Sequence, residues 1–119
     1  MDKINLKEKL SLFSDYWNPR IIGELNGQQV KLAKFCGEFV WHKHDNEDEL
    51  FMVMNGSFDM ELREKTITLH EGDVLIVPRG MEHRPVAKQE VHILLFEPVT
   101  TLNTGDVYNE RTREKLEKI

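Results

Sequence analysis

The stretch GEFVWHKHDNEDELFMVMNG, Gly37 to Gly56, decides the fold of this 119-residue chain. His42 and His44 stand two positions apart, and on a strand that spacing points both rings to one face. An acidic loop follows, and an apolar strand then begins at Glu49. If this strand returns beside the histidines, its first carboxylate reaches the same point as the two rings, as a metal site requires.

An HxH pair alone is more often surface chemistry than a metal site, so this stretch by itself leaves both interpretations open. A second segment, GDVLIVPRGMEHRPV, Gly72 to Val86, shifts the balance. It reads as a strand, a turn built on proline and glycine, and a return that begins at His83. On this interpretation, the remaining acids of the loop keep an exposed turn solvated; they are Asp45, Glu47 and Asp48.

Together the two segments resemble the two motifs of the cupin family. The first has the pattern HxH(x4)E(x6)G and the second has G(x5)PxG(x2)H. The resemblance implies an all-β fold, a double-stranded β-helix or jelly-roll barrel, with a conserved core at about residues 28–98 of a single domain, 1–119. It also implies a set of four metal ligands: His42, His44, Glu49 and His83.

Three imidazoles and one carboxylate suit a divalent first-row ion, namely iron, manganese, nickel, zinc or copper. The resemblance implies a small-molecule ligand in the barrel and an activity such as that of a dioxygenase or an isomerase. The alternative is a non-catalytic metabolite-binding or sensing module, in which the metal is structural or orients the ligand. Fold alone does not choose between them, and no catalytic residue is assigned.

Two further histidines are expected not to be ligands. His70 ends a strand and should be exposed, whereas His92 lies in an apolar strand as a core, pocket or second-shell residue. Arg79 and Glu82 lie on the turn before His83. They are either acid, base and anion-holding groups at the barrel mouth or solvated turn residues.

The remaining pattern favours short antiparallel strands. SFDMELR and ITLH form a hairpin, and QVKLAKF, FVWHKH, ELFMVM, DVLIVP and VHILLFEP are further strands bounded by turn formers. A short N-terminal helix over NLKEKLSLF has Asn5 as its N-cap, with Glu8 as the capping-box partner. Residues 109–119, NERTREKLEKI, could at most form a second, surface helix, because only two of them are apolar anchors.

The totals exclude several classes of protein. Net charge is −5 and no basic cluster is present, so nucleic acid is not expected as a partner. No apolar run is long enough to span a membrane, and the first twenty residues lack the apolar stretch of a secretory signal, so we expect a cytoplasmic location. The single Cys36 cannot form an internal disulfide. In LFMVM and ILLF, consecutive residues are apolar, so some of their side chains must point away from the barrel interior. This predicts a homodimer, through the outer sheet face or an exchanged N-terminal strand.

Overall fold

One short helix and seven strands form the chain in the computed structural model, which describes residues 1–119. Their bounds are α1 Leu6–Leu10, β1 Arg20–Leu25, β2 Gln28–Glu38, β3 Glu49–Asn55, β4 Ser57–Leu62, β5 Thr66–His70, β6 Val74–Val77 and β7 His83–Pro98. The only helix has five residues, and no helix of the structure could cross a bilayer.

All strand pairs are antiparallel, and β7 connects the two faces of the barrel. The main path runs in the order β1-β2-β7-β3-β6, while β4 pairs with both β5 and β7. The first residues of β7, from His83 to Val86, pair with β4, and its later residues pair with β2 and β3. The fold is therefore the antiparallel jelly-roll barrel that the motifs imply, and β7 begins at the histidine of the second motif.

The barrel interior is filled by one side of each strand. On β3, Glu49, Phe51 and Val53 are buried, whereas the residues between them are only half-buried. A cluster of 14 buried apolar residues fills the interior, including Phe35 on β2 and Ile93 on β7. This alternation places one inward-facing carboxylate at the very start of β3.

The N-terminal segment covers part of the outer sheet face. Asn5 caps α1 by accepting a hydrogen bond from the Glu8 N–H at 2.9 Å, as predicted. Leu10 and Phe13 then pack with Leu32, which points outward from β2, in a second apolar cluster. Apolar residues therefore face both sides of β2, because one side packs inside the barrel and the other packs beneath the N-terminal segment.

Three local predictions differ from the structure. The predicted strand FVWHKH forms only an isolated bridge at His42, because β2 ends at Glu38. The strand β1 was not predicted, because RIIGEL shows no clear alternation of apolar and polar residues. No helix forms over residues 109–119, where the Ile119 N–H instead donates a 3.0 Å hydrogen bond to the Ile21 carbonyl on β1.

Candidate metal centre

His42 and His83 come from different motifs and meet in a short antiparallel bridge. The His42 N–H donates to the His83 carbonyl at 3.1 Å, and the His83 N–H donates back at 2.9 Å. The Nδ1 atoms of the two rings lie 2.9 Å from the carbonyls of Val40 and Met81 respectively. Because a carbonyl oxygen only accepts, each Nδ1 carries the proton of the neutral ring, and each Nε2 presents a lone pair.

The acidic loop fixes the position of Glu49. The Gly80 N–H donates to the His44 carbonyl at 2.8 Å, which ties the loop to the turn between β6 and β7. Asp48 accepts a 2.8 Å hydrogen bond from the Arg79 N–H on the same turn. Glu49 follows at once as the first residue of β3, with its side chain buried inside the barrel. Glu49 therefore faces the histidines, and its neighbour Asp48 holds the loop in place.

The four residues predicted from the motifs lie together. His42, His44, Glu49 and His83 are all buried, and their candidate ligand atoms lie within 4.8 Å of one another. Nε2 of His44 and Nε2 of His83 lie 2.9 Å and 3.2 Å from Oε1 of Glu49. This buried cluster could hold a metal ion.

These short distances are not hydrogen bonds. Nε2 of His44, Nε2 of His83 and Oε1 of Glu49 are buried and have no hydrogen-bond partner. Buried polar atoms are nearly always satisfied in native proteins, so three orphaned atoms in one place need an explanation. Lone pairs that converge on a common point fit a cation, and three imidazoles with one carboxylate fit a divalent first-row ion.

The surroundings favour neutral His42 and ionised Glu49. Burial, and to a smaller extent the proximity of His83, lowers the pKa of His42 to about 4. Burial alone would raise the pKa of Glu49, but its contacts with His44, His83 and Glu97 hold it well below the usual range. Both groups therefore present the protonation state that binds a metal, because ligands coordinate through free lone pairs.

A narrow cavity of about 30 Å³ of water-accessible space borders the cluster, which is room for one or a few waters. Its apolar wall is aromatic. Trp17 stacks on Phe35 and Phe39 with ring centroids 4.4 Å and 4.9 Å apart, and its Nε1–H donates to the Cys36 carbonyl at 2.9 Å. The indole is therefore a fixed part of the wall, although it comes from the N-terminal segment and not from the barrel.

Two charged residues inside the barrel were missed at the sequence level. Lys31 on β2 and Glu97 on β7 are buried and form a 2.8 Å ion pair, and Glu97 lines the cavity with His42 and Glu49. Burial and the charge of Glu49 raise the pKa of Glu97 well above its usual range, although Lys31 acts against this. The sequence did contain a signal. Each residue stands two positions from a buried apolar residue on its strand, and side chains at that spacing point to the same face.

The other candidates lie outside the cluster. His70 is exposed, as expected, and His92 is half-buried with Nε2 2.7 Å from a carboxylate oxygen of Glu90. Arg79 pairs with Asp48, and Glu82 accepts two 3.1 Å hydrogen bonds from an exposed arginine, Arg63. Neither turn residue lines the cavity. The geometry thus favours solvated turn residues for Arg79 and Glu82.

Comparison with known proteins gives a consistent result. The family model described as Cupin domain matches residues 28–97. The "Uncharacterized protein YdbB" of Bacillus subtilis (strain 168) is 40% identical over 80 residues, which cover 66% of this chain and 65% of the relative. The matched part of the chain thus spans just under two thirds of that relative's length.

Two solved structures are similar over most of their length. A cupin-2 domain containing protein from Shewanella frigidimarina NCIMB 400 is 47% identical with a TM-score of 0.79, covering 80% of this chain and 93% of that one. Protein NMB1881 from Neisseria meningitidis is 31% identical with a TM-score of 0.75, covering 82% and 99%.

Proposed function

Because the chain belongs to the cupin family, whose model matches residues 28–97, we propose that it is a metal-dependent protein that binds or converts an oxygen-rich small molecule inside the barrel. The observation that carries the proposal is the convergence of buried, unpartnered ligand atoms at one end of the cavity. The proposed ligands are His42, His44, Glu49 and His83.

The chain itself supplies the shape and polarity of the site. A bound divalent ion would act as a Lewis acid or, if redox-active, as an oxygen-activating centre. The Nδ1–H groups of His42 and His83 are engaged by backbone carbonyls, so their rings are oriented before any ion arrives. The aromatic wall of Trp17, Phe35 and Phe39 excludes water from one side. A ligand must therefore direct its polar groups toward the ion and its carbon skeleton toward the aromatic rings.

The small cavity favours a second candidate, a non-catalytic binding or sensing module. Only about 30 Å³ is open to water beside the cluster, so this conformation admits a very small molecule or part of a larger one. Trp17 is buried and fixed by stacking and by its hydrogen bond, which keeps the cavity narrow. In this alternative the ion orients the ligand or stabilises the barrel, and no turnover follows.

Oxygen uptake with defined metals separates the candidates. Protein loaded with iron, copper or zinc is tested with phenolic, enolic and thiol substrates, and an anaerobic assay uses sugar phosphates. A dioxygenase predicts uptake only with iron or copper, and loss of that uptake in His44→Ala. His92→Ala, which changes a histidine outside the cluster, is the matched control and should retain the uptake.

The other two outcomes are equally distinct. Conversion of a sugar phosphate under anaerobic conditions, supported by zinc, manganese or nickel, identifies an isomerase. Tight ligand binding without turnover under every metal identifies the binding module. A protein that binds none of these metals contradicts the proposal as a whole.

A further inference from the structure

Two charged side chains inside the barrel are placed like core residues. Lys31 and Glu97 occupy inward-facing positions of β2 and β7, each two residues along its strand from a core residue, Ala33 and Leu95 respectively. Their relative exposures are only 1% and 3%. Charged residues are almost never buried this deeply unless they are paired, and burying them has a large desolvation cost. Their position next to the candidate metal centre therefore calls for a functional explanation.

The ion pair satisfies only half of the Glu97 carboxyl group. Nζ of Lys31 lies 2.8 Å from Oε1 of Glu97. Oε2 of Glu97 is buried and has no hydrogen-bond partner, and the carboxyl group lies beside that of Glu49. A buried carboxyl oxygen without a partner is costly, so an oxygen in this position is poised to receive a donor from a bound molecule.

Glu97 also lies where a ligand would have to pass or bind. It lines the same cavity as His42 and Glu49, but it does not belong to the cluster of four convergent ligands. Lys31 holds the carboxyl group through its other oxygen and does not itself line the cavity. A molecule coordinated at the metal centre would thus have Glu97 as a neighbour.

We propose that Glu97, oriented by Lys31, binds a hydroxyl group of the ligand next to the oxygen that coordinates the metal. This inference rests on the proposed function and names the ligand class: small molecules with a hydroxyl beside a metal-binding oxygen, such as 2-hydroxy acids and vicinal diols. A carboxyl group accepts a hydrogen bond from a hydroxyl whether it is ionised or protonated, so the assignment does not depend on its charge. Lys31 is a positioning residue, because it acts on the ligand only through Glu97.

A matched pair of probes isolates this contact. Glycolate and acetate both offer a carboxylate to the metal, but only glycolate carries the neighbouring hydroxyl. Binding of each is measured on Co²⁺-loaded protein by the visible spectrum of the ion and by calorimetry. The wild type is compared with Lys31→Met/Glu97→Met, which removes both charges of the pair together and leaves no buried ion alone.

Lys34→Met is the matched control. Lys34 is also a buried lysine of β2, but its Nζ donates to the Phe13 carbonyl at 2.6 Å on the outer face of the sheet. Its loss tests the general effect of removing a buried lysine from this strand.

The preference for glycolate over acetate should fall about tenfold in the double variant and stay unchanged in Lys34→Met, as expected for loss of one hydrogen bond to a carboxylate. Chelation by the ion alone contributes equally in every variant and cancels in the comparison. Lys31→Leu/Glu97→Leu, which also removes both charges and every hydrogen-bonding atom of the pair, provides the same comparison if the methionine variant does not fold.

An unchanged preference in a variant that still binds Co²⁺ would overturn the inference while leaving the proposed function intact. Failure of the wild type to bind Co²⁺ would instead overturn the proposed function, and this inference with it.

Discussion

Nε2 of His44 lies 2.9 Å from Oε1 of Glu49, yet the two atoms do not form a hydrogen bond. Both atoms are buried, and the same oxygen lies 3.2 Å from Nε2 of His83, again without a hydrogen bond. Groups that attracted one another directly would align a donor with an acceptor. The three atoms instead lie close together without hydrogen-bond partners, which is an arrangement that a shared cation would explain.

The loop around Gly105 should be essential for the position of His42. Gly105 has a positive φ of 57°, and a Cβ atom there would collide with the Lys43 backbone and touch the His42 ring. We expect Gly105→Ala to lower the free energy of unfolding by about 1–3 kcal/mol more than a substitution with free space, because backbone must shift. Chemical denaturation measures this, and weaker Co²⁺ binding should accompany it.

Gly80→Ala is the control for that substitution. Gly80 also has a positive φ, of 79°, but nothing lies within 4 Å of a Cβ at that position. Both variants share the conformational strain, so only Gly105→Ala adds the collision. Equal losses of stability in the two variants would contradict the prediction.

Without metal, the stability of the protein should fall in mild acid. The pKa of His42 is about 4 in the folded chain against 6.5 for a free side chain, chiefly because of burial and then because of nearby His83. The unfolded chain therefore binds a proton that the folded chain refuses, and stability is lost as pH falls from about 6.5 to about 4. The contribution of this residue is of the order of 3 kcal/mol.

Denaturation of chelator-treated protein across this pH range checks the prediction. His44, Glu49 and His83 lie beside His42, so the comparison is with His42→Gln, which keeps them. The variant should show a shallower dependence on pH than the wild type. Parallel curves for the two proteins would show that His42 does not carry the effect.

An apolar patch on the outer sheet face predicts a homodimer. Val74 and Ile76 of β6 are 52% and 60% exposed. They stand opposite Met52 and Leu50 of β3, which are half-buried and point to the same face. The row continues to Phe96 on β7. An apolar surface that crosses three strands needs cover, and a second copy of the chain offers an identical surface.

Sedimentation at micromolar concentration tests this prediction. The wild type should sediment at twice the 14.0 kDa chain mass, and Ile76→Glu should shift the equilibrium to the monomer. Leu12→Glu changes an equally exposed leucine, 61%, in the N-terminal segment and should remain dimeric. A wild type that sediments only as a 14.0 kDa species would reject the homodimer.

Local sequence patterns predicted most of the barrel because its strands alternate in a regular way. The hairpin SFDMELR–ITLH corresponds to β4 and β5, and the Asn5 cap forms as expected. The C-terminal segment was expected to be helical at most. It forms turns instead, because the Ile119 N–H donates a hydrogen bond to the Ile21 carbonyl on the edge strand β1. Local helix propensity does not include such a tertiary contact.

The site was only partly predictable for a related reason. Motif spacing identified the residues that converge, because both segments carry their own turns. Trp17 could not be placed, since it lies 20 residues before Gly37, where the first motif stretch begins, and has a positive φ of 60° that sequence does not indicate. Lys31 and Glu97 meet only when β2 and β7 pair across 66 positions of sequence. Long-range pairing supplied both parts of the site that motifs left out.

Metal content per chain, measured by elemental analysis of the wild type and of single alanine variants, tests the central claim most directly. The account predicts about one divalent ion per wild-type chain and a large loss in His42→Ala, His44→Ala, Glu49→Ala and His83→Ala. His70→Ala and His92→Ala should keep the wild-type content, because neither histidine lies in the cluster. Full metal content in His83→Ala together with its loss in His92→Ala would contradict the assignment.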